Sequence, residues 1–195
     1  MKKVLGSVLL LTSVYATAGE NYFQNAWDAK GLLALEGAFG QGQAKLTQVN
    51  PSGGEHVILN ESKSAFGGGF KLGGESEAYR LFLSGRYHSV SDFDAVYTAG
   101  AEMQYLIRAG EHFNIFLGIN GGLMSTQMTV GTTEYTTTNP YAGGDVGVNL
   151  DIIDNFGLEL GVRFNKNLGS TTDIGSIDYM TEGYVSLVFK FTGQY

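Results

Sequence analysis

The chain has 195 residues, room for one domain, and its 29 glycines, 12% aromatic and only 16% charged residues suit short strands joined by turns better than a charged helical bundle. With no cysteine it is not a disulfide scaffold and can carry neither a thiolate metal site nor a cysteine nucleophile. A formal net charge of -7 makes it a poor partner for nucleic acid.

The first residues point to export. Lys2 and Lys3 precede an apolar run over 4–14 and then Ala16-Thr17-Ala18, the charged, apolar and small-residue parts of a secretory signal. Cleavage is expected near Ala18, so that 1–18 is a signal peptide. The run is too short for a membrane-spanning helix, which needs about 20 residues. Removal of two lysines and no acids leaves 10 basic against 19 acidic residues, a net of -9. Residues 19–30 read as a periplasmic lead-in whose Tyr22, Phe23 and Trp27 suit a membrane interface or a loosely ordered terminus.

From Gly31 onward the sequence alternates with a period of two. Eight strands are predicted, over 31–40, 64–73, 78–88, 97–107, 113–124, 141–152, 156–165 and 179–191. In the third, Tyr79, Leu81, Leu83 and Tyr87 share one face while Arg80, Ser84, Arg86 and His88 share the other, with Phe82 an apolar exception. In the seventh, Phe156, Leu158, Leu160, Val162 and Phe164 oppose Glu159 and Arg163. In the last, Gly183, Val185, Leu187, Phe189 and Phe191 oppose Glu182, Tyr184, Ser186, Val188 and Lys190. With no helices to cover so many apolar stripes, their natural partner is lipid, and the charged stripes then face the inside of a closed barrel. A mean hydropathy of -0.02 agrees with this, because outward and inward residues cancel in any window average.

The connections alternate as well. Short turns are expected at 74–77, 108–112 and 154–155, and longer connections at 41–63, 89–96, 125–140 and 166–178. This is the asymmetry of outer-membrane barrels, with turns in the periplasm and loops outside. The β-prone flanks 126–130 and 133–138, around Gly131-Thr132, predict that strands five and six continue beyond the membrane as a projecting hairpin.

With this pattern the chain resembles the small outer-membrane barrels of the OmpA and OmpX type over nearly all of its mature length. The resemblance implies an eight-stranded antiparallel up-and-down transmembrane β-barrel over 31–195 in the outer membrane of a Gram-negative-type cell, without a peptidoglycan-binding domain. The ending from Tyr184 to Phe191, with aromatics at Phe189 and Phe191, looks like the C-terminal signal read by the barrel-assembly machinery. The implied partners are outer-membrane lipid and lipopolysaccharide, that machinery, and an extracellular protein or surface ligand.

The expected interior brings together Glu36, Glu102, Asp145, Asp151, Glu159 and Glu182 with Lys71, Arg80, Arg86, Arg163 and Lys190. Eight strands enclose a space that side chains fill, so these charges are expected to pair into a plug, the other reading being a narrow polar path. No catalytic, cofactor or metal site is expected. Of the three histidines, His112 falls in a turn, His56 in a long connection, and His88 at the outer rim, where it reads as solvated. Ser84 shares its face but lies about 13 Å away along the strand. Gly67-Gly68-Gly69 lacks the spacing and following helix of a phosphate loop. Two aspartates, Asp92 and Asp94, more often remain solvated than hold a cation. The role expected is structural or adhesion-like surface interaction. A channel for small or hydrophobic solutes is the alternative, and a lipid A-modifying enzyme the third reading.

Overall fold

Strands that are apolar on one side and polar on the other bury their polar side only by closing upon themselves, which also removes both sheet edges. A computed structural model describes residues 30–49, 55–130, 132–169 and 175–191. It contains β1 (Lys30–Val49), β2 (Glu55–Glu75), β3 (Tyr79–Val90), β4 (Ala95–Arg108), β5 (Phe113–Val130), β6 (Thr133–Ile153), β7 (Phe156–Asn167) and β8 (Gly175–Phe191). Each strand pairs antiparallel with the next. The barrel closes where β1 pairs with β8, from Gly31 opposite Phe191 to Leu46 opposite Gly175. The described residues include no helix. The segment 1–29, with the expected signal and its cleavage point, and residues 192–195 lie outside them, and Lys30 opens β1 instead of ending the lead-in.

Burial follows the alternation. Along β3 every second residue is buried, from Arg80 to Val90. The outward set includes Phe39 at 70% exposure, Leu83, Ile119 and Val162. So much exposed apolar surface is far beyond what a water-soluble monomer presents. Aromatic pairs bound it at both ends: Tyr79 with Tyr105 and Phe156 with Phe189 toward the short turns, Tyr87 with Tyr97 and Phe164 with Tyr179 toward the long hairpins. On β3, β4 and β7 the two aromatics are eight positions apart. That is about 26 Å along a strand and about 20 Å along the barrel axis at a tilt of roughly 40°.

Inside, glycines make room for large side chains. A β-carbon at Gly161 would lie 2.6 Å from the Tyr184 ring, and one at Gly147 would lie 2.5 Å from Phe116 Cζ. Both rings are thereby packed within the lumen, where Phe116 and Tyr184 join Ala38 and Leu106 in one buried cluster.

The strands run longer than the sequence pattern indicates. Of residues 41–63, expected to be mainly a loop, 41–49 and 55–63 extend β1 and β2 into a ribbon in which Gln41 faces Ser64 and Gln43 faces Ser62. Beyond Ala65, which pairs with Val90, β2 has β1 as its partner. The connection expected at 89–96 shrinks to the four residues Ser91 to Asp94, with Asp92 in the left-handed region at φ 72°. The second ribbon follows the predicted hairpin: Val130 pairs with Thr133, and β6 gains β7 as a neighbour only from Tyr141.

Candidate functional site

The barrel interior concentrates most of the buried charge. Because inward positions recur every second residue and neighbouring strands are staggered, carboxylates and cations from six strands meet at mid-height. Lys71 on β2 has its ammonium 2.5 Å from Glu159 on β7, 3.3 Å from Glu102 on β4 and 3.8 Å from Glu36 on β1. Arg86 on β3 donates to Glu36 at 2.8 Å and to Glu102 at 2.6 Å. From β7, Arg163 donates to both carboxylate oxygens of Glu36 and, at 2.7 Å, to Glu182 on β8. The Lys71, Arg80 and Arg163 side chains are fully buried. Charges so placed are tolerated only when paired and hydrogen-bonded. The ring of Tyr184 lies beneath both Arg163, at 4.2 Å, and Lys71, at 5.2 Å.

A second group closes the end with the short turns. Arg80 contacts Glu75 at 2.5 Å and Glu159 at 3.4 Å, while Lys190 bridges Glu75 at 3.0 Å and Asp151 at 2.8 Å. These last residues border a polar cavity of about 420 Å³ at that mouth, lined also by Lys30, Glu77, Arg108 and Glu111. Glu75 is a member that the sequence pattern misses, because it falls at a predicted turn. Asp145 is held by neutral donors, accepting from Tyr184 Oη at 2.9 Å and Gln104 Nε2 at 3.3 Å.

Toward the long hairpins the lumen turns apolar. Ala44, Ala65, Val90, Phe93, Val96, Met124, Met128, Tyr141, Ile177 and Met180 form one buried cluster that caps the ionic layer. Leu32, Ala34, Phe82 and Val188 form a smaller one near the other end. The alternation pattern gives no warning of the cap, since it assigns apolar side chains to lipid.

His88 lies beneath this cap. Its expected place was a solvated outer rim, but it is 1% exposed, with Nδ1 3.3 Å from Glu182 Oε2. The reason is that β2, β5 and β6 continue well past its level and the cap covers it. Ser84, on the same face, accepts a hydrogen bond from Arg86 Nη1 at 2.8 Å. His112 is exposed at the end with the short turns, and His56 lies in β2. Among the described residues no group of three or more His, Asp or Glu is placed to hold a metal ion.

Tyr184, Phe189 and Phe191, the residues that resemble an assembly signal, point different ways: Tyr184 inward, Phe191 outward at 55% exposure, and Phe189 against Phe156 with ring centroids 5.3 Å apart.

On the outer face above the aromatic ends, the first ribbon carries an amide and hydroxyl ladder. Ser62 donates to Gln41 at 2.9 Å, Gln43 to Asn60 at 2.6 Å and Tyr179 to Gln43 at 3.3 Å. Lys63 ties the ribbon to the β3–β4 turn through Asp92 at 2.7 Å and also pairs with Glu61 at 3.0 Å. In the second ribbon Thr138 donates to Ser125 and Thr129 to Asp94.

No family model matches the chain, and no curated protein matches it. Among solved structures it is similar to Neisserial surface protein A, with a TM-score of 0.64 and 18% identity over 84% of this chain and 99% of that one. Outer membrane protein H (OprH) of P. aeruginosa gives a TM-score of 0.54 and 17% identity, covering 83% of this chain and 99% of that one. The N-terminal β-barrel domain of Pseudomonas aeruginosa OprF gives 0.51 and 12%, again over 83% and 99%. The chain therefore has the fold of the small eight-stranded outer-membrane β-barrels.

Proposed function

We propose that the chain is an outer-membrane barrel with a sealed lumen, exported by an N-terminal signal, that holds two β-ribbons outside the cell for contact with other molecules and performs no chemistry of its own. The observation that carries this reading is the contrast between the ends. The interior is filled by ion pairs and apolar clusters, while β1–β2 and β5–β6 run on past the strands beside them.

Ribbons of this kind expose backbone donors and acceptors along their free edges and polar side chains on their faces, both of which another protein or a surface ligand can engage. The apolar belt with aromatic ends supports placement in a bilayer. The fold it shares with a protein named Neisserial surface protein A fits the same location. The ion-pair layer is the scaffold that keeps the ribbons at a fixed height.

Two measurements test the reading. In planar bilayers the purified protein should pass almost no current, and a steady open conductance would favour the solute-channel alternative. Replacing 47–58, between the paired Leu46 and Leu59, or 129–134, between the paired Met128 and Tyr135, by a two-residue turn should leave insertion intact and reduce attachment of expressing cells to surfaces or to other cells. Unchanged attachment with both ribbons shortened would remove the surface-interaction role.

A further inference from the structure

Beyond residue 18 the chain has ten lysines and arginines, and the contacts above account for eight of them. Five fill the lumen, Lys30 and Arg108 line the cavity at the short-turn mouth, and Lys63 is held by Glu61 and Asp92. Lys45 on β1 and Lys166 on β7 remain. Among the described residues neither has a carboxylate partner. Both follow the outward phase of their strands: Lys166 stands two positions past the exposed Phe164, and Lys45 follows the buried Ala44.

The registers place these two lysines on one stretch of outer wall. Lys166 faces Tyr179, Tyr179 faces Gln43, and Lys45 lies two positions beyond Gln43, opposite Asn60. That is two strand widths across and two residues along, about 12 Å between the two backbones. Neutral polar groups floor the space between them, with Tyr179 Oη donating to Gln43 Oε1 at 3.3 Å and Gln43 Nε2 to Asn60 Oδ1 at 2.6 Å. Asp178, the extra residue where the β8 register shifts, is half-buried and pairs with neither lysine. The opposite wall has no counterpart. There Ser125 faces Thr138 and Gln127 faces Thr136, and between Arg86 and Arg163 the sequence has no cation but Arg108, at the other end of the barrel.

We infer that this wall is a binding site for one outer-leaflet glycolipid whose sugar head carries two phosphates, one on each lysine, with the sugar against Tyr179, Gln43 and Asn60. The inference rests on the outer-membrane placement proposed above. Just past the aromatic ends of the apolar belt the wall meets lipid head groups, and an ammonium there gains a charge-assisted hydrogen bond from a phosphate oxygen. A head with a phosphate at each end of a disaccharide serves both lysines at once, whereas a lipid with a single phosphate serves one. The surplus of carboxylates in the chain repels dissolved anions, so the ligand is one held at the wall by its own acyl chains. The first ribbon, which carries Lys45 and Asn60, is thereby tied to the leaflet, and the second is left clear for partners.

The test titrates the full mature chain, in zwitterionic micelles, with diphosphorylated lipid A. It is read at the backbone amides of Lys45, Lys166 and Tyr179, with Ser125 and Gln127 as references across the barrel. Saturation at one equivalent is expected, with shifts confined to the first three. A lysine at an anionic lipid surface contributes about fivefold in affinity. Lys45→Gln/Lys166→Gln should therefore bind about thirtyfold more weakly, and monophosphorylated lipid A or phosphatidylglycerol about fivefold more weakly to the unaltered chain. Lys63→Gln should bind as the unaltered chain does. Equal shifts on both walls, unchanged affinity in the double variant, or equal affinity for phosphatidylglycerol would overturn the site and leave only an unspecific lipid shell. Membrane fractionation separates this failure from that of the placement: a chain found in the outer membrane without saturable binding loses the site alone, and one found elsewhere loses both.

Discussion

Arg163 on β7 and Glu36 on β1, separated by the whole width of β8, form a two-pronged pair in which Nη1 meets Oε1 and Nη2 meets Oε2, each at 2.8 Å. Both are buried, and Glu36 also receives Arg86. Arg163→Met leaves the Glu36 and Glu182 carboxylates short of a partner and should destabilise the barrel by about 3–5 kcal/mol. The midpoint of urea unfolding in lipid or micelles checks this. Glu36→Gln/Arg163→Met should recover part of the loss, because Glu36 is then no longer a charge without its mate and only Glu182 remains short of one.

Leu160 sits midway between Phe156 and Phe164, the two aromatic ends of β7, and faces outward. Leu160→Arg places a cation near the bilayer midplane and should cost about 2–4 kcal/mol, visible as poor insertion and loss of the heat-modifiable gel shift. Ser186→Ala, by contrast, removes a long 3.5 Å hydrogen bond to Glu36 and should cost no more than about 1 kcal/mol. Equal tolerance of the two would reverse the facing of β7 and β8.

Five cations inside the barrel, Lys71, Arg80, Arg86, Arg163 and Lys190, stand among seven carboxylates, Glu36, Glu75, Glu102, Asp145, Asp151, Glu159 and Glu182. Lys71→Ala opens a gap in the middle layer and increases that excess. Any leak that results should select cations over anions, as rings of acidic side chains do, with a reversal potential in a potassium chloride gradient to show it.

Gly161 lies under the Tyr184 ring. Gly161→Val should push the ring away from Arg163, Lys71 and Asp145 and cost about 1–3 kcal/mol through overpacking. Gly161→Val/Tyr184→Leu should restore part of the stability, measured by the same unfolding midpoint.

Hydrogen bonds to Asp92, and then to Glu61, hold the Lys63 ammonium above the usual lysine pKa. A raised value in the folded state means that this tie favours folding fully below the unfolded-chain pKa and fades as pH climbs through the higher folded one. The ribbon should therefore stay tethered at neutral pH and come loose in strongly alkaline solution, or at neutral pH in Asp92→Asn. Faster amide exchange at Asn60, Glu61 and Ser62 reports the release.

The barrel can be read from the sequence because lipid on one side and packed charge on the other force a strict period of two. Leu158, Leu160 and Val162 against Glu159 and Arg163 show it plainly. Above the aromatic ends that contrast vanishes. Gln41, Gln43, Asn60 and Ser62 are polar on a ribbon whose outer face no longer meets lipid, so they read as a loop although they are strand. The cap was hidden for the opposite reason: Met124, Met180 and Ile177 are apolar, and an apolar residue in such a chain reads as lipid-facing. His88 and Glu75 were misplaced by strand ends, which polar composition fixes poorly.

The eight-position spacing of the aromatic pairs has a further consequence for where this molecule can reside. A hydrocarbon slab much thicker than about 20 Å would have to compress around it, at a cost of fractions of a kcal/mol for each ångström of mismatch. The protein should therefore partition into thin bilayers and reconstitute faster from short-chain than from long-chain phosphatidylcholine, a sorting rule written in the placement of four tyrosines and two phenylalanines on β3, β4 and β7.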